Sequence, residues 1–153
     1  MLENLGFPCS QSLVADLFAA LQDQKTDFIL FFRNLSEVSN THGEPLPHKL
    51  EQTFKNGAPP AFIRWLGRYR QRLRAENSDP AERATRMSRT NPLYILRNYL
   101  AEQAIAQARN GDYREIERLR RCLARPFDEQ AEFADFAEPP PEGSIPVCVS
   151  CSS

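Results

Sequence analysis

The most specific chemical motif in this chain is a pair of cysteines near its end. Cys148 and Cys151 form a Cys-Val-Ser-Cys sequence within 153 residues, and this spacing suits either a redox dithiol or half of a zinc site. A complete zinc site needs further Cys or His ligands, and a thioredoxin-type site needs a βαβ context that the sequence does not predict. Two interpretations therefore stay open for the pair, a regulatory disulfide and no role.

Arginines are the second candidate, because five of them fall on one short segment: Arg64, Arg68, Arg70, Arg72 and Arg74. Guanidinium groups pair with phosphate oxygens in bidentate fashion, so this cluster could bind a phosphate or a nucleic acid. The chain as a whole carries 19 Lys and Arg against 20 Asp and Glu, a net charge of −1, which disfavours a nucleic-acid partner. A solvated helix face is the favoured interpretation.

His42 and His48 are the only histidines, and they lie six positions apart in a segment that contains prolines. A metal site needs three or four convergent ligands, and neither histidine has a Cys or Glu at ligand spacing. The sequence therefore predicts no metal site at these residues and no nucleophile–base pair.

Helical periodicity and capping residues predict the elements that must position these groups. Apolar residues recur at intervals of three and four over residues 10–24, and Thr26 and Asp27 can cap a second helix that begins at Phe28. The apolar residues of this second segment point nearly all round, which predicts a buried helix or, less favoured, a short buried strand. A polar loop over 36–47 and a short helix within 49–56 follow.

Prolines and caps also divide the rest of the chain. Pro60 opens an amphipathic helix with an arginine-rich outer side. The apolar face of this helix is formed by Phe62, Trp65, Leu66, Tyr69 and Leu73. Asp79-Pro80 and Asn91-Pro92 each place a capping residue before a proline, which predicts two further helix starts. The second of these helices ends at Asn110-Gly111, and a last helix runs from Asp112 to Arg125.

The predicted fold class is all-α, with about six helices in residues 1–125 and an extended, proline-rich tail in residues 126–153. Phe133 and Phe136 are expected to anchor that tail. The longest nearly unbroken apolar stretch, Phe28 to Phe32, has five residues, whereas a membrane helix needs roughly 20. With no signal sequence at the N-terminus, the expectation is a cytoplasmic protein without membrane contact.

Several segments, in the same order along the chain, resemble the C-terminal part of the selenoprotein O (SelO) family. They are RMSRTNPLYILRNYLAEQAI at 86–105, NGDY at 110–113, RPFDEQ at 125–130 and VSCSS at 149–153. Weaker similarity extends upstream to DFILFFRNLS at 27–36 and FIRWLGRYRQRL at 62–73. The family consists of protein adenylyltransferases with a pseudokinase fold, and its eukaryotic members place selenocysteine in the terminal Ser-Cys-Ser-Ser motif.

The resemblance implies transfer of AMP from ATP to Ser, Thr or Tyr hydroxyls of proteins, with Mg²⁺ or Mn²⁺. In the family, the nucleotide- and metal-binding groups and the catalytic Asp lie in a kinase-like region that precedes the part represented here. The resemblance therefore implies no catalytic, cofactor-binding or metal-binding residue in this chain, and no activity of the chain alone. Its expected partners are the kinase-like core, in the same or a companion chain, and protein substrates.

The resemblance also bears on the two terminal cysteines. Cys151 matches the terminal family cysteine, which is thought to take part in redox control through a disulfide, whereas Cys148 lies outside that motif. Two alternatives remain: a non-catalytic helical interaction module with a redox-active terminal cysteine and, least favoured, a thiol oxidoreductase that uses both thiols.

Overall fold

The structure, a computed structural model, describes residues 10–22, 24 and 26–139 and confirms the all-α fold class. These residues contain eight α-helices and no strand, where about six helices were predicted. The helices are α1 (Ser10–Leu21), α2 (Phe28–Leu35), α3 (His48–Glu51), α4 (Pro60–Ala75), α5 (Pro80–Thr90), α6 (Asn98–Arg109), α7 (Arg114–Leu123) and α8 (Ala134–Ala137), with a 3-10 helix at Ala131–Phe133. The chain divides into two compact units at Asn91 and Pro92.

The core of the first unit is aromatic and lies among α1, α2 and α4. Phe31 of α2 and Phe62 of α4 are fully buried, with ring centroids 5.6 Å apart in an edge-on arrangement, a favourable geometry for aromatic pairs. Trp65 stacks on Tyr69 at 4.9 Å, and its indole Nε1 donates a 2.8 Å hydrogen bond to the carbonyl oxygen of Leu13. This bond ties α4 to α1.

Two of the predicted helix starts are confirmed by their caps. The side chain of Asp27 accepts hydrogen bonds from the backbone N–H groups of Ile29 and Leu30 at 3.0 and 3.1 Å. The side chain of Asp79 accepts one from Glu82 at 2.8 Å. Each aspartate thereby satisfies backbone donors that the first turn of a helix leaves unpaired.

The second unit contains α6 and α7, which pack against each other. Asn110-Gly111 ends α6 as predicted, and Gly111 has φ +80, the left-handed conformation that favours glycine after a helix. The predicted helix start at Pro92 is wrong, because α6 begins only at Asn98. The N–H groups of Leu93 and Tyr94 donate instead to the carbonyl oxygen of Pro126, at 2.8 and 3.1 Å.

The aromatic anchors predicted after Pro126 are in place. Phe133 and Phe136 are buried in one cluster with Tyr94 and Leu100. Residues 131–137, predicted to be extended, are helical, because the two phenylalanines turn the chain onto this apolar cluster. No helix among the described residues is long and apolar enough to cross a membrane.

Candidate functional site

The arginine-rich segment predicted as a possible phosphate patch lies along α4, and most of its guanidinium groups have partners within the first unit. Arg68 pairs with Asp16 of α1, and Arg72 pairs with Glu76 one turn further along its own helix. Arg74 donates to the carbonyl oxygen of Asn40 at 2.7 Å. Arg64 is exposed. The segment is therefore not simply the solvated helix face that was predicted, because Arg68, Arg72 and Arg74 have partners in the protein.

The pattern of α4 predicts a solvent-facing Arg70, and this prediction is wrong, because Arg70 is buried. Its Nε donates to the carbonyl oxygen of Ser39 at 3.2 Å, and its Nη2 donates to that of Pro45 at 3.3 Å. Carbonyl groups in a loop have no helix or strand partner, so side-chain donors or water satisfy them. A guanidinium can satisfy two of them at once, since it carries five N–H donors.

A third arginine, Arg83 of α5, also donates to this loop. It is 3% exposed, its Nη2 donates to the carbonyl oxygen of Val38, and its Nη1 donates to the Ser78 hydroxyl at 3.3 Å. The loop of residues 36–47 is therefore held by three arginines, Arg70, Arg74 and Arg83, and we call it the arginine-held loop. Periodicity alone did not identify Arg83, because its role depends on a loop 45 residues earlier in the sequence.

Arg33 of α2 also donates to backbone carbonyl groups, at the C-terminal end of α5. Its Nη1 donates to the carbonyl oxygens of Ser88 and Asn91, at 2.7 and 3.1 Å. The last carbonyl groups of a helix lack partners within the helix, and a cation there also interacts favourably with the helix dipole. Arg33 thus fixes the C-terminal end of α5, and the only sequence signal for it is a lone charge in an otherwise apolar helix.

Tyr69 lies near these arginines, and its phenol has a raised pKa. Burial raises its pKa, and nearby charges modify that effect, with Arg83 lowering it, Glu76 raising it and Arg86 lowering it. Burial dominates because the phenolate loses its hydration when it leaves water. The phenol therefore stays neutral at physiological pH and packs on Trp65 as part of the core.

Both histidines lie at the surface of the first unit. His42 and His48 are both exposed, and His48 is the first residue of α3. Among the described residues, no group of three or more His, Cys, Asp or Glu side chains is placed to hold a metal ion.

Cys122 is the cysteine that the structure describes, and it is fully buried. Burial raises the pKa of its thiol to about 11, with a further increase from Asp135 and a decrease from Arg118. Because the thiolate is the reactive form of cysteine, Cys122 is unreactive at neutral pH. Cys148 and Cys151 lie outside the described residues, so their redox role stays a prediction.

Comparison with known proteins finds relatives that share one name. Curated relatives named protein nucleotidyltransferase YdiU match almost the whole chain. The relative from Cupriavidus metallidurans is 42% identical over 146 residues and the one from Pseudomonas paraeruginosa is 43% identical over 143, each covering 94% of this chain. A third, from Dechloromonas aromatica, is 41% identical over 152 residues and covers 97%.

A match to a family model shows the family to which the chain belongs. The family model described as protein adenylyltransferase SelO matches residues 1–124, which is most of the chain. The chain belongs to the SelO family. It spans only 26% of the length of the Cupriavidus relative, 28% of the Pseudomonas relative and 30% of the Dechloromonas relative.

Proposed function

We propose that this chain is the C-terminal helical portion of a SelO-type protein adenylyltransferase, an enzyme that transfers AMP from ATP to Ser, Thr or Tyr hydroxyls of proteins. The observation that carries the proposal is the SelO match over residues 1–124 in a chain that spans between 26% and 30% of these relatives. In this proposal the kinase-like core, which binds ATP and Mg²⁺ or Mn²⁺, lies outside the chain.

The contacts of the arginines support a scaffolding role for this portion. Transfer of a phosphoryl or nucleotidyl group relies on cations that face the phosphate, where they stabilise the charge that develops. Arg70, Arg74 and Arg83 donate to backbone carbonyl groups of the arginine-held loop instead. Their charge is thus used to stabilise the fold of the first unit.

The proposal also names partners and a regulatory residue. The chain would act with the kinase-like core of the same or a companion polypeptide, and the assembled enzyme would modify protein substrates. Cys151, which matches the terminal cysteine of the family, would form the redox-sensitive disulfide. Cys148 three residues earlier is the nearest thiol in the sequence with which it could pair.

The test of this proposal is the activity of the chain by itself. The chain is incubated with ATP labelled in its α-phosphate, Mg²⁺ or Mn²⁺, and a protein acceptor, beside the full-length Cupriavidus relative as the positive control. We expect label on the acceptor with the relative and none with the chain alone. Label transferred by the chain alone would contradict the placement of the catalytic core outside it.

A further inference from the structure

Residues 131–137 of the second unit, which comprise the 3-10 helix and α8, pack beside α7, and we call this segment the strap. Its two buried side chains are those of Phe133 and Phe136, each 2% exposed. Ala137 is half-buried, and the other strap residues are exposed. Helices of three and four residues are too short to be stable by themselves. The strap therefore depends on its side-chain contacts with the rest of the second unit.

Arg118 of α7 contacts the C-terminal end of the strap in two ways. Its Nη2 lies 3.1 Å from Oδ2 of Asp135, and its guanidinium carbon lies 4.6 Å from the centroid of the Phe136 ring. A cation above an aromatic face is attracted by the negative charge of that face. Glu115 pairs with Nη1 of the same guanidinium at 3.0 Å, so a second acid helps to orient it.

Arg121 of α7 makes the same two contacts with the N-terminal end of the strap. Its Nη2 lies 2.9 Å from Oε2 of Glu132, and its guanidinium carbon lies 5.4 Å from the centroid of the Phe133 ring. The side chains of the two ion pairs to the strap are between 38% and 58% exposed, so dissolved salt screens them. Contacts that weaken with ionic strength thus help to keep the strap in place.

The thiol of Cys122 is buried in the same apolar cluster as the two strap phenylalanines. The strap acids are also near it, since Asp135 and Glu132 both raise the pKa of this thiol. Segments with few buried contacts open at a lower free-energy cost than the helices of a core. Because two rings attach the strap to the cluster, its release removes one wall from around the thiol.

We propose that the strap is a salt-sensitive latch that opens while α6 and α7 stay folded, and that its opening controls access to the Cys122 thiol. The closed strap keeps water and reagents away from the sulfur. The open strap turns an inert thiol into an accessible nucleophile. The latch lies within the second unit and does not depend on the proposed function.

The rate at which N-ethylmaleimide adds to Cys122 in the intact chain measures the opening. Mass spectrometry of the proteolytic peptide that carries Cys122 separates its rate from those of the other cysteines. Glu132→Gln combined with Asp135→Asn removes both ion pairs to the strap. Glu117→Gln is the matched control, because it removes an exposed ion pair with Arg120 on the same helix that does not involve the strap.

We expect the double variant to react about fivefold faster than the unsubstituted chain, because two partly exposed ion pairs are lost. The control should react less than about twofold faster, since a pair within one helix contributes little and leaves the strap in place. An unchanged rate in the double variant would overturn the proposal. Equal acceleration in the control and the double variant would also overturn it.

Salt tests the latch without a substitution. Raising the NaCl concentration from about 0.05 M to about 0.5 M shortens the Debye length severalfold. The rate at Cys122 should rise about threefold in the unsubstituted chain, since both ion pairs to the strap are partly exposed. It should stay nearly constant in the double variant, which lacks these pairs. The same response to salt in both proteins would contradict the latch.

The dependence of the rate on urea separates opening of the strap from unfolding of the second unit. Opening of a short segment exposes little surface, so the rate below the unfolding transition should rise with urea much less steeply than the unfolding equilibrium does. Circular dichroism gives the slope of that equilibrium. Equal slopes would show that Cys122 reacts only from the unfolded chain and would overturn the proposal.

Discussion

The guanidinium of Arg83 on α5 donates a hydrogen bond to the carbonyl oxygen of Val38, and both residues are buried. Val38 belongs to the arginine-held loop, which carries no regular secondary structure of its own. The contact therefore joins a loop to a helix that begins 42 residues later, at Pro80. It shows that Arg83 acts as an internal donor in the first unit.

Replacing Arg83 by methionine should reduce the free energy of unfolding by about 2 kcal/mol, because the buried carbonyl of Val38 loses its donor. Urea unfolding of the chain, followed by circular dichroism, measures the effect. Arg64→Met is the matched control on an exposed residue and should change the stability by no more than about 0.5 kcal/mol. Equal effects of the two substitutions would show that the bond to Val38 contributes nothing.

Removing the hydroxyl group of Tyr94 should destabilise the second unit. The Tyr94 hydroxyl donates to the carbonyl oxygen of Gln130 at 3.0 Å and accepts from its N–H group at 3.1 Å, and both residues are buried. Tyr94→Phe leaves that N–H group without its acceptor, at a cost of about 1 to 2 kcal/mol.

The matched control is Tyr99→Phe, which removes a solvent-exposed bond to the carbonyl oxygen of Glu138. Water can replace that bond, so the expected cost is below about 0.5 kcal/mol. Thermal unfolding of the three proteins gives the comparison. A larger loss from Tyr99→Phe than from Tyr94→Phe would contradict the role assigned to Tyr94.

The buried thiol of Cys122 should make stability fall at alkaline pH. Burial raises its pKa from 9.0 to about 11, so between these values the unfolded chain has lost a proton that the folded chain still holds. The stabilising contribution is therefore fully present below about pH 9 and is lost as the pH rises towards about 11. Cys122→Ala should show a shallower decline of unfolding free energy over this range, and parallel curves would contradict the assignment.

Local signals in the sequence were reliable where the structure also uses local contacts. Asp27 and Asp79 were predicted as caps, and each bonds to backbone groups two or three residues away. The same signature at Asn91-Pro92 failed. There the N–H groups of Leu93 and Tyr94 donate to Pro126, more than 30 residues along the chain, and this long-range contact overrides the local preference.

The arginines show why part of the candidate site could not be predicted. Periodicity assigned Arg70 to the solvent side of α4, and by helix geometry alone that was reasonable. The position is buried in the structure, and Arg70 donates there to the carbonyl groups of Ser39 and Pro45. Nothing in the pattern of α4 reveals these contacts, since they are made with a loop 25 to 31 residues earlier.

The most direct test of the central claim is transfer of AMP by a hybrid in which this chain replaces the matching region of the Cupriavidus relative. The relative without that region is the negative control, and the intact relative is the positive control. We predict that the hybrid labels a protein acceptor from ATP labelled in its α-phosphate, because the chain supplies the helical portion that the core lacks. A hybrid that is folded and binds ATP but transfers no AMP would contradict the account and favour a non-catalytic interaction module.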